Sequence, residues 1–295
     1  MMREYLEKFF QSFAYDEADA AYLLQAYDRI VENPEAGAQW NRVLAMYETD
    51  MNCDFDKLLE ESNVAADFVQ LHHYTTQLLI CICMSRSLRK AYAKRGIREE
   101  IFHNSMLDLK YKLEECKLVK GIIGSFVAGW FIGFFQMTRF GLGRLQFELI
   151  DFGHQFEKDG LVLTPQTKVI NMHIPRTGTP LDPVACDEAF ALASAFFRPQ
   201  IGDVCVFVCH SWLLYPEHEK ILSPNSNVYK FMKRFMIAGH GVRMDMGELW
   251  RLFDTDEKNV QRLPADSSMR RAYIEHLRNG GFMGWGQGMF IYNGK

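Results

Sequence analysis

Near Phe140 the spacing of apolar residues changes, and that change constrains the fold more than any other feature of the chain. Before it the period is that of a helix; after it the period is two, that of a strand. Tyr15-Asp16 opens a run that puts Ala20, Leu23, Leu24, Tyr27, Ile30 and Val31 on one face, and Asn33-Pro34 ends it, because proline disfavours helix in the residue before it. A longer helix is predicted with Val64, Phe68, Leu71, Thr75, Leu78 and Ile82 on one stripe. Arg86, Arg89, Lys90, Lys94 and Arg95 crowd its far end, where cations suit the helix dipole, and Gly96 serves as its stop. From Arg98 a further helix carries Phe102, Met106, Leu109, Leu113 and Cys116. Stripes of this kind need one another for burial, so residues 1 to about 120 are expected to form a helical bundle.

Past Phe140, Leu145, Phe147 and Leu149 alternate with Arg144, Gln146 and Glu148, the pattern of a half-buried strand. Asp159-Gly160 is a turn signal, and Leu161–Leu163 and Lys168–Ile174 read as strands. Asp182-Pro183 predicts a helix start, with aspartate as N-cap and proline at the first helical position. Cys186, Phe190, Ala193 and Phe197 would form the inner face of that helix. The apolar run 204–209 then suits a central strand buried on both faces, which makes strand, helix and strand a parallel unit. Further helices are expected near 226–235 and 266–278. The glycine-rich run 280–288 is expected to bend the chain into a last strand, Met289–Tyr292.

At 295 residues with a net charge of −4, the chain is long enough for two cores and offers no broad basic surface for nucleic acid. Its seven cysteines are odd in number and form no CxxC pair, so reduced thiols and a cytoplasmic setting are expected, with no metal site. The charged start, Met1 to Lys8, does not read as a secretory signal. Residues 121–138 carry no charge over 18 positions, which just reaches the length of a membrane span. Four glycines, a serine and a glutamine dilute the stretch, so burial against protein is the expectation, and no membrane partner.

Several groups bear chemistry. The glycine run lacks the preceding strand and following helix that a dinucleotide fingerprint needs. His72 and His73 read as mid-helix residues without the spacing of a metal pair. Cys209 and His210 are strand neighbours and point to opposite faces, which argues against a cysteine nucleophile. His210 ends the buried strand, and His173 lies near the end of the preceding parallel strand, where open α/β sheets bind ligands. Asn171 and His173 share one face of their strand; Val204, Val206, Val208 and His210 share one face of theirs. A neutral imidazole there either takes a proton from a substrate amine or hydrogen-bonds a loop backbone and pins the strand end. The loop 175–180, with Arg176, leads into a helix start suited to an anion, although Asp182 as N-cap would occupy those amides and repel a phosphate.

The segments Gly143–Phe147, Val169–Pro175, Pro180–Pro183, Phe207–Leu214, Ser226–Phe231 and Arg234-Phe235, with the glycine-rich end, resemble a bacterial family of two-domain acyltransferase-like proteins. These pair an N-acyltransferase N-terminal helical domain with a GNAT-like C-terminal domain. The resemblance covers nearly the whole chain and implies an α+β two-domain fold: a helical domain over 1–138 and a GNAT-like (acyl-CoA N-acyltransferase) mixed sheet domain over 139–295. It implies that two parallel strands, 169–174 and 204–210, splay apart with pantetheine between them. Acyl-CoA or CoA would then be the co-substrate and a small-molecule amine the acceptor. Met172, His173 and Ile174 would hold pantetheine by their backbone, and Arg176 and Gly178 would lie at the pyrophosphate. His210 or His173 would deprotonate the amine, and Tyr229 would protonate the leaving thiolate. The chain departs from the family's pyrophosphate loop, since Arg176-Thr177-Gly178-Thr179-Pro180 has proline in place of one glycine and Asp182 caps the helix. The alternative is a non-catalytic binding protein that retains the acyltransferase fold.

Overall fold

The computed structural model describes residues 1–158, 160–202 and 204–294, so Asp159 of the expected Asp159-Gly160 turn lies outside the described residues. The chain forms two compact units, Met1–Gly141 and Leu142–Lys295.

The first unit is helical: α1 (Met2–Ser12), α2 (Glu17–Glu32), α3 (Pro34–Thr49), α4 (Phe55–Phe68), α5 (His73–Lys94), α6 (Glu99–Lys120) and a short α7 (Ile132–Phe135). Asp16 caps α2 by accepting from the amides of Ala18 and Asp19, and Pro34 opens α3 at its first position. Helix α5 runs through the middle, touching α1 to α4 and α6, and is buried on almost every side. The helix expected from Val64 to Ile82 is in fact two. Gln70 takes a left-handed backbone (φ 50), and His72 caps α5 by accepting from the Tyr74 amide at 3.1 Å. Val64 and Phe68 therefore lie exposed on α4, while Leu71, Thr75, Leu78 and Ile82 are buried. A break of four residues keeps the spacing close to helical, which is why periodicity alone runs the two helices together.

The charge-free stretch 121–138 packs inside this unit. Phe131, Phe134 and Phe135 are fully buried, and the Phe135 carbonyl accepts from the Tyr47 hydroxyl at 2.8 Å. Among the described residues no helix is long and apolar enough to cross a membrane.

The chain passes into the second unit within β1 (Arg139–Leu142). There β2 (Leu145–Asp151), β5 (Lys168–His173), β6 (Cys205–Ser211), β8 (Met283–Tyr292) and β7 (Met236–Arg243) lie side by side in that order. The hairpin β3 (Phe156–Lys158) and β4 (Leu161–Leu163) stands apart. β5 and β6 are parallel, joined by α8 (Pro183–Ile201); β2 with β5, β6 with β8, and β7 with β8 are antiparallel. Phe190 of α8 packs on Phe147, Phe207 and Phe290, which fixes one face of the sheet. On the other face Val169, Val206, Val208 and Met289 form a core with Leu163 of the hairpin. Cys205–Cys209 are buried, as a central strand requires, whereas Val204 stands exposed before β6 begins.

Short helices α9 (His218–Ile221), α10 (Asn227–Met232) and α11 (Trp250–Phe253) precede α12 (Ser268–Arg278). The glycine-rich tail differs from expectation. Gly280 (φ 83) belongs to the turn, but Gly284, Gly286 and Gly288 are interior residues of one ten-residue strand. A Cβ on Gly284 would meet the Tyr215 ring at 2.2 Å, and one on Gly286 the Leu214 carbonyl oxygen at 2.1 Å. Glycine here serves close packing of the Trp212–Leu214 turn onto β8, which a sequence pattern cannot tell from a bend.

Candidate active site

Strand pairing in the middle of the sheet is interrupted. The parallel ladder of β5 and β6 has two partner pairs, Ile170 with Phe207 and Asn171 with Val208. On their outer sides both strands stay paired further: β5 with β2 to His173, and β6 with β8 to Ser211. Beyond Asn171 and Val208 no further residues of β5 and β6 are partnered with one another among the described residues, which leaves main-chain donors and acceptors on their facing edges. Such an opening accepts an extended ligand with amide groups of its own, by the same hydrogen-bond logic that adds a strand to an edge.

The two imidazoles singled out from sequence lie on one face beside that opening. Asn171 is opposite Val208, so Asn171 and His173 share the face of Val206, Val208 and His210. His173 Nε2 lies 2.7 Å from Glu148 Oε1, and the Asn171 amide donates to the same oxygen at 2.9 Å. Glu148 stands directly across from Asn171 in the β2–β5 ladder. These side chains are mostly buried, with 19% of His173 and 16% of Glu148 exposed. A carboxylate in this position fixes the ring's tautomer and shares the charge the ring gains with a proton. Sequence reading missed Glu148, because on an alternating strand it looks like one more residue of the solvent face.

His210 is exposed and lies against the Trp285 ring, with centroids 4.6 Å apart. Among the described residues its ring makes no hydrogen bond to a loop. Cys209 points to the α8 face, and burial pushes its thiol up to about 12, which removes it as a nucleophile. Tyr229 lies on α10, which packs on α8 and the Trp212–Leu214 turn; the structure does not bring it to the face of His173 and His210. His72 and His73 sit at the start of α5, where His73 pairs with Asp67 at 2.7 Å. Among the described residues no three metal-ligating side chains gather.

Met172 is buried on the α8 face, opposite Phe147, and Ile174 leads out of the sheet. The Arg144 guanidinium holds the loop that follows, donating to the Pro175 carbonyl at 3.0 Å and the Thr179 carbonyl at 3.4 Å. Gly178 takes the left-handed backbone (φ 73) at its tip. Arg176 pairs with Asp254, at the end of α11, at 2.7 Å. At the start of α8 the Asp182 carboxylate accepts from the Ala185 amide at 3.0 Å, and Pro183 at the first position has no N–H to give. The main-chain opening fits the pantetheine arm of a coenzyme A thioester; at the helix start the Asp182 carboxylate opposes a pyrophosphate, and one amide is taken and one position has none.

Two sequence-family profiles cover the chain: the N-acyltransferase N-terminal domain over residues 4–137, and the GNAT-like C-terminal domain over 140–290. The chain belongs to this two-domain acyltransferase family. Its fold is that of crystallised acyltransferases. An acyltransferase mutant in complex with octanoyl-CoA superposes with a TM-score of 0.75 at 21% identity, covering 97% of this chain and 87% of that one. An acyltransferase with decanoyl-CoA gives 0.74 at 19% identity over 96% and 86% of the two chains. One with decanoyl-CoA and teicoplanin gives 0.65 at 22% identity over 97% and 99%. Among curated proteins none matches the chain in sequence.

Proposed function

We propose that this protein is an acyl-CoA-dependent N-acyltransferase that acylates a small-molecule amine and uses His173 as its base. The observation that carries the reading is the interrupted β5–β6 ladder lying on the same strand end as the Glu148–Asn171–His173 cluster. Main-chain groups of Met172–Ile174 would hold the amide-bearing arm of the donor. When bound, the donor would supply a thioester whose acyl carbon accepts the attacking amine as its C–S bond breaks, and the proton that His173 takes from the amine would pass to the departing CoA thiolate. An alkyl amine is protonated near neutral pH and attacks only after losing that proton. With Nε2–H donated to Glu148, the basic lone pair of His173 is on Nδ1, and the imidazolium formed there is held by the carboxylate. Asn171 keeps that carboxylate in place. His210 and Trp285 offer an aromatic surface on the same face against which the acceptor can lie.

Octanoyl-CoA, decanoyl-CoA and teicoplanin, held by the neighbouring acyltransferases, are the first probes. Thiol release from each donor, followed with a panel of amines, should show turnover that His173→Gln lowers roughly 100-fold or more. Turnover at the parent rate in that variant would remove His173 from the reaction. The Asp182–Pro183 start of α8 favours a second reading, a protein that binds its ligand without transferring a group. Binding of CoA without turnover for any acceptor, at any pH, would select it.

A further inference from the structure

If the phosphates of the donor cannot sit on α8, the side chains around them should show where they go. The second unit contains a cleft of about 640 Å³ directly beside the loop 175–180. That loop, with Arg176 and Thr179, forms one wall; Arg251 and Asp254 at the end of α11, and Ser267 and Arg270 at the start of α12, form the other. The volume lies in the range of clefts that take a nucleotide-sized ligand. Three guanidinium groups face it against two carboxylates, Asp254 and Asp266.

These arginines are not equivalent. Arg270 is committed to the fold: Nε donates to the Leu252 carbonyl, Nη1 to both oxygens of Asp266, and Nη2 to Asp254 at 2.5 Å. It is 14% exposed. Arg176 spends only Nη2, on Asp254, and is 34% exposed. Arg251 spends only Nε, on Glu248, while its plane lies over the Trp250 ring. Among the described residues Nε and Nη1 of Arg176 and both Nη groups of Arg251 have no protein partner. Arg270 thus orients Asp254, Asp254 orients Arg176, and the spare donors of Arg176 and Arg251 are left for a ligand. Planar, forked donors of this kind match phosphate oxygens in pairs. The hydroxyls of Thr179 and Ser267 add donors to the same walls.

Resting on the acyl-CoA reading, we propose that the phosphate groups of the donor's nucleotide end bind in the Arg176–Arg251 cleft rather than at the start of α8, where the Asp182 carboxylate takes the Ala185 amide and would repel a phosphate and Pro183 offers no N–H. Arg176 is then a loop residue that Asp254 holds in the wall of the cleft. Arg251 is a phosphate partner that no feature of the family's loop would indicate.

Isothermal titration of the full chain with CoA and with pantetheine tests this. CoA is expected to bind at least tenfold tighter than pantetheine. Arg251→Ala and Arg176→Ala should each weaken CoA roughly tenfold and leave pantetheine unchanged, with unaltered circular dichroism showing that the fold persists. Asp182→Ala is the opposing control: a several-fold gain for CoA there, with no loss in Arg251→Ala, would put the phosphates on α8 and overturn the proposal. Equal affinity of the parent protein for CoA and pantetheine would overturn it too while leaving the acyltransferase reading intact. Binding of neither compound would remove both.

Discussion

The His218 imidazole is fully buried, and its environment makes a quantitative statement about acid stability. Its Nδ1–H donates to the Leu213 carbonyl at 3.3 Å, and Nε2 accepts from the Tyr273 hydroxyl, itself fully buried. Burial pushes the ring down from 6.5 to about 4, because a cation there would lose its water. The sign follows from proton counting. The unfolded chain binds a proton at His218 below about pH 6.5 and the folded one does not until about pH 4, so stability falls as pH falls through that window. At about 1.4 kcal/mol per pH unit this residue alone removes roughly 2 kcal/mol between about pH 7 and pH 5, and about 3 kcal/mol near pH 4. Titrating carboxylates confuse the absolute curve, so the measurement is a difference. His218→Gln keeps a donor and an acceptor at the site but cannot titrate. Hydrogen exchange read on peptides spanning residues 268–278 should show the parent protein losing protection faster than the variant as pH drops from 7 to 5, by roughly 2 kcal/mol. Parallel losses in the two proteins would show that His218 is charged in the folded state and would refute the reasoning.

Three further outcomes follow from the same geometry. Glu148→Gln should keep the fold and lower turnover roughly tenfold to a hundredfold, with the activity-versus-pH profile displaced, since an amide can still touch His173 Nε2 but no longer compensates its charge; an unmoved profile would separate Glu148 from the reaction. Gly286→Ala would drive a Cβ to 2.1 Å from the Leu214 carbonyl oxygen, and should lower stability by roughly 1–3 kcal/mol or more in thermal unfolding; Gly280→Ala, with nothing near its Cβ but φ 83, tests strain without a clash. Asp182→Ala removes the N-cap of α8 and should cost about 1 kcal/mol in denaturant unfolding.

What could be read from sequence was what depends on neighbours along the chain. The period change at Phe140, the Asp182 cap, the Gly96 stop (φ 68) and the buried face of α8 are all local, and all are found. The break between α4 and α5 escaped because four residues preserve the helical count. The site was half legible. His173 and His210 stood out as polar ends of apolar strands, and pairing of Asn171 with Val208 places them on one face. Glu148 could not be found, because its meaning comes from a cross-strand neighbour 23 residues away. Arg251, Asp254 and Arg270 were invisible for the same reason at greater separation: Asp254 meets Arg176 across 78 positions. Long-range pairings of charged groups leave no periodic trace.

The position of β8 also has a consequence for how the second unit is made. In the order β2-β5-β6-β8-β7, the strand that comes last in sequence lies inside the sheet, between two strands synthesised before it. Until residues 283–292 leave the ribosome, β6 has an open edge along Cys205–Ser211 and β7 has no partner there at all. A nascent chain in that condition exposes an apolar strand to any other strand it meets. Assembly of this sheet is therefore expected to be a late and nearly all-or-none event, slow because its closing contacts join residues far apart in the chain. A chain truncated before Met283 should accumulate as aggregate while its helical unit, complete long before, stays folded.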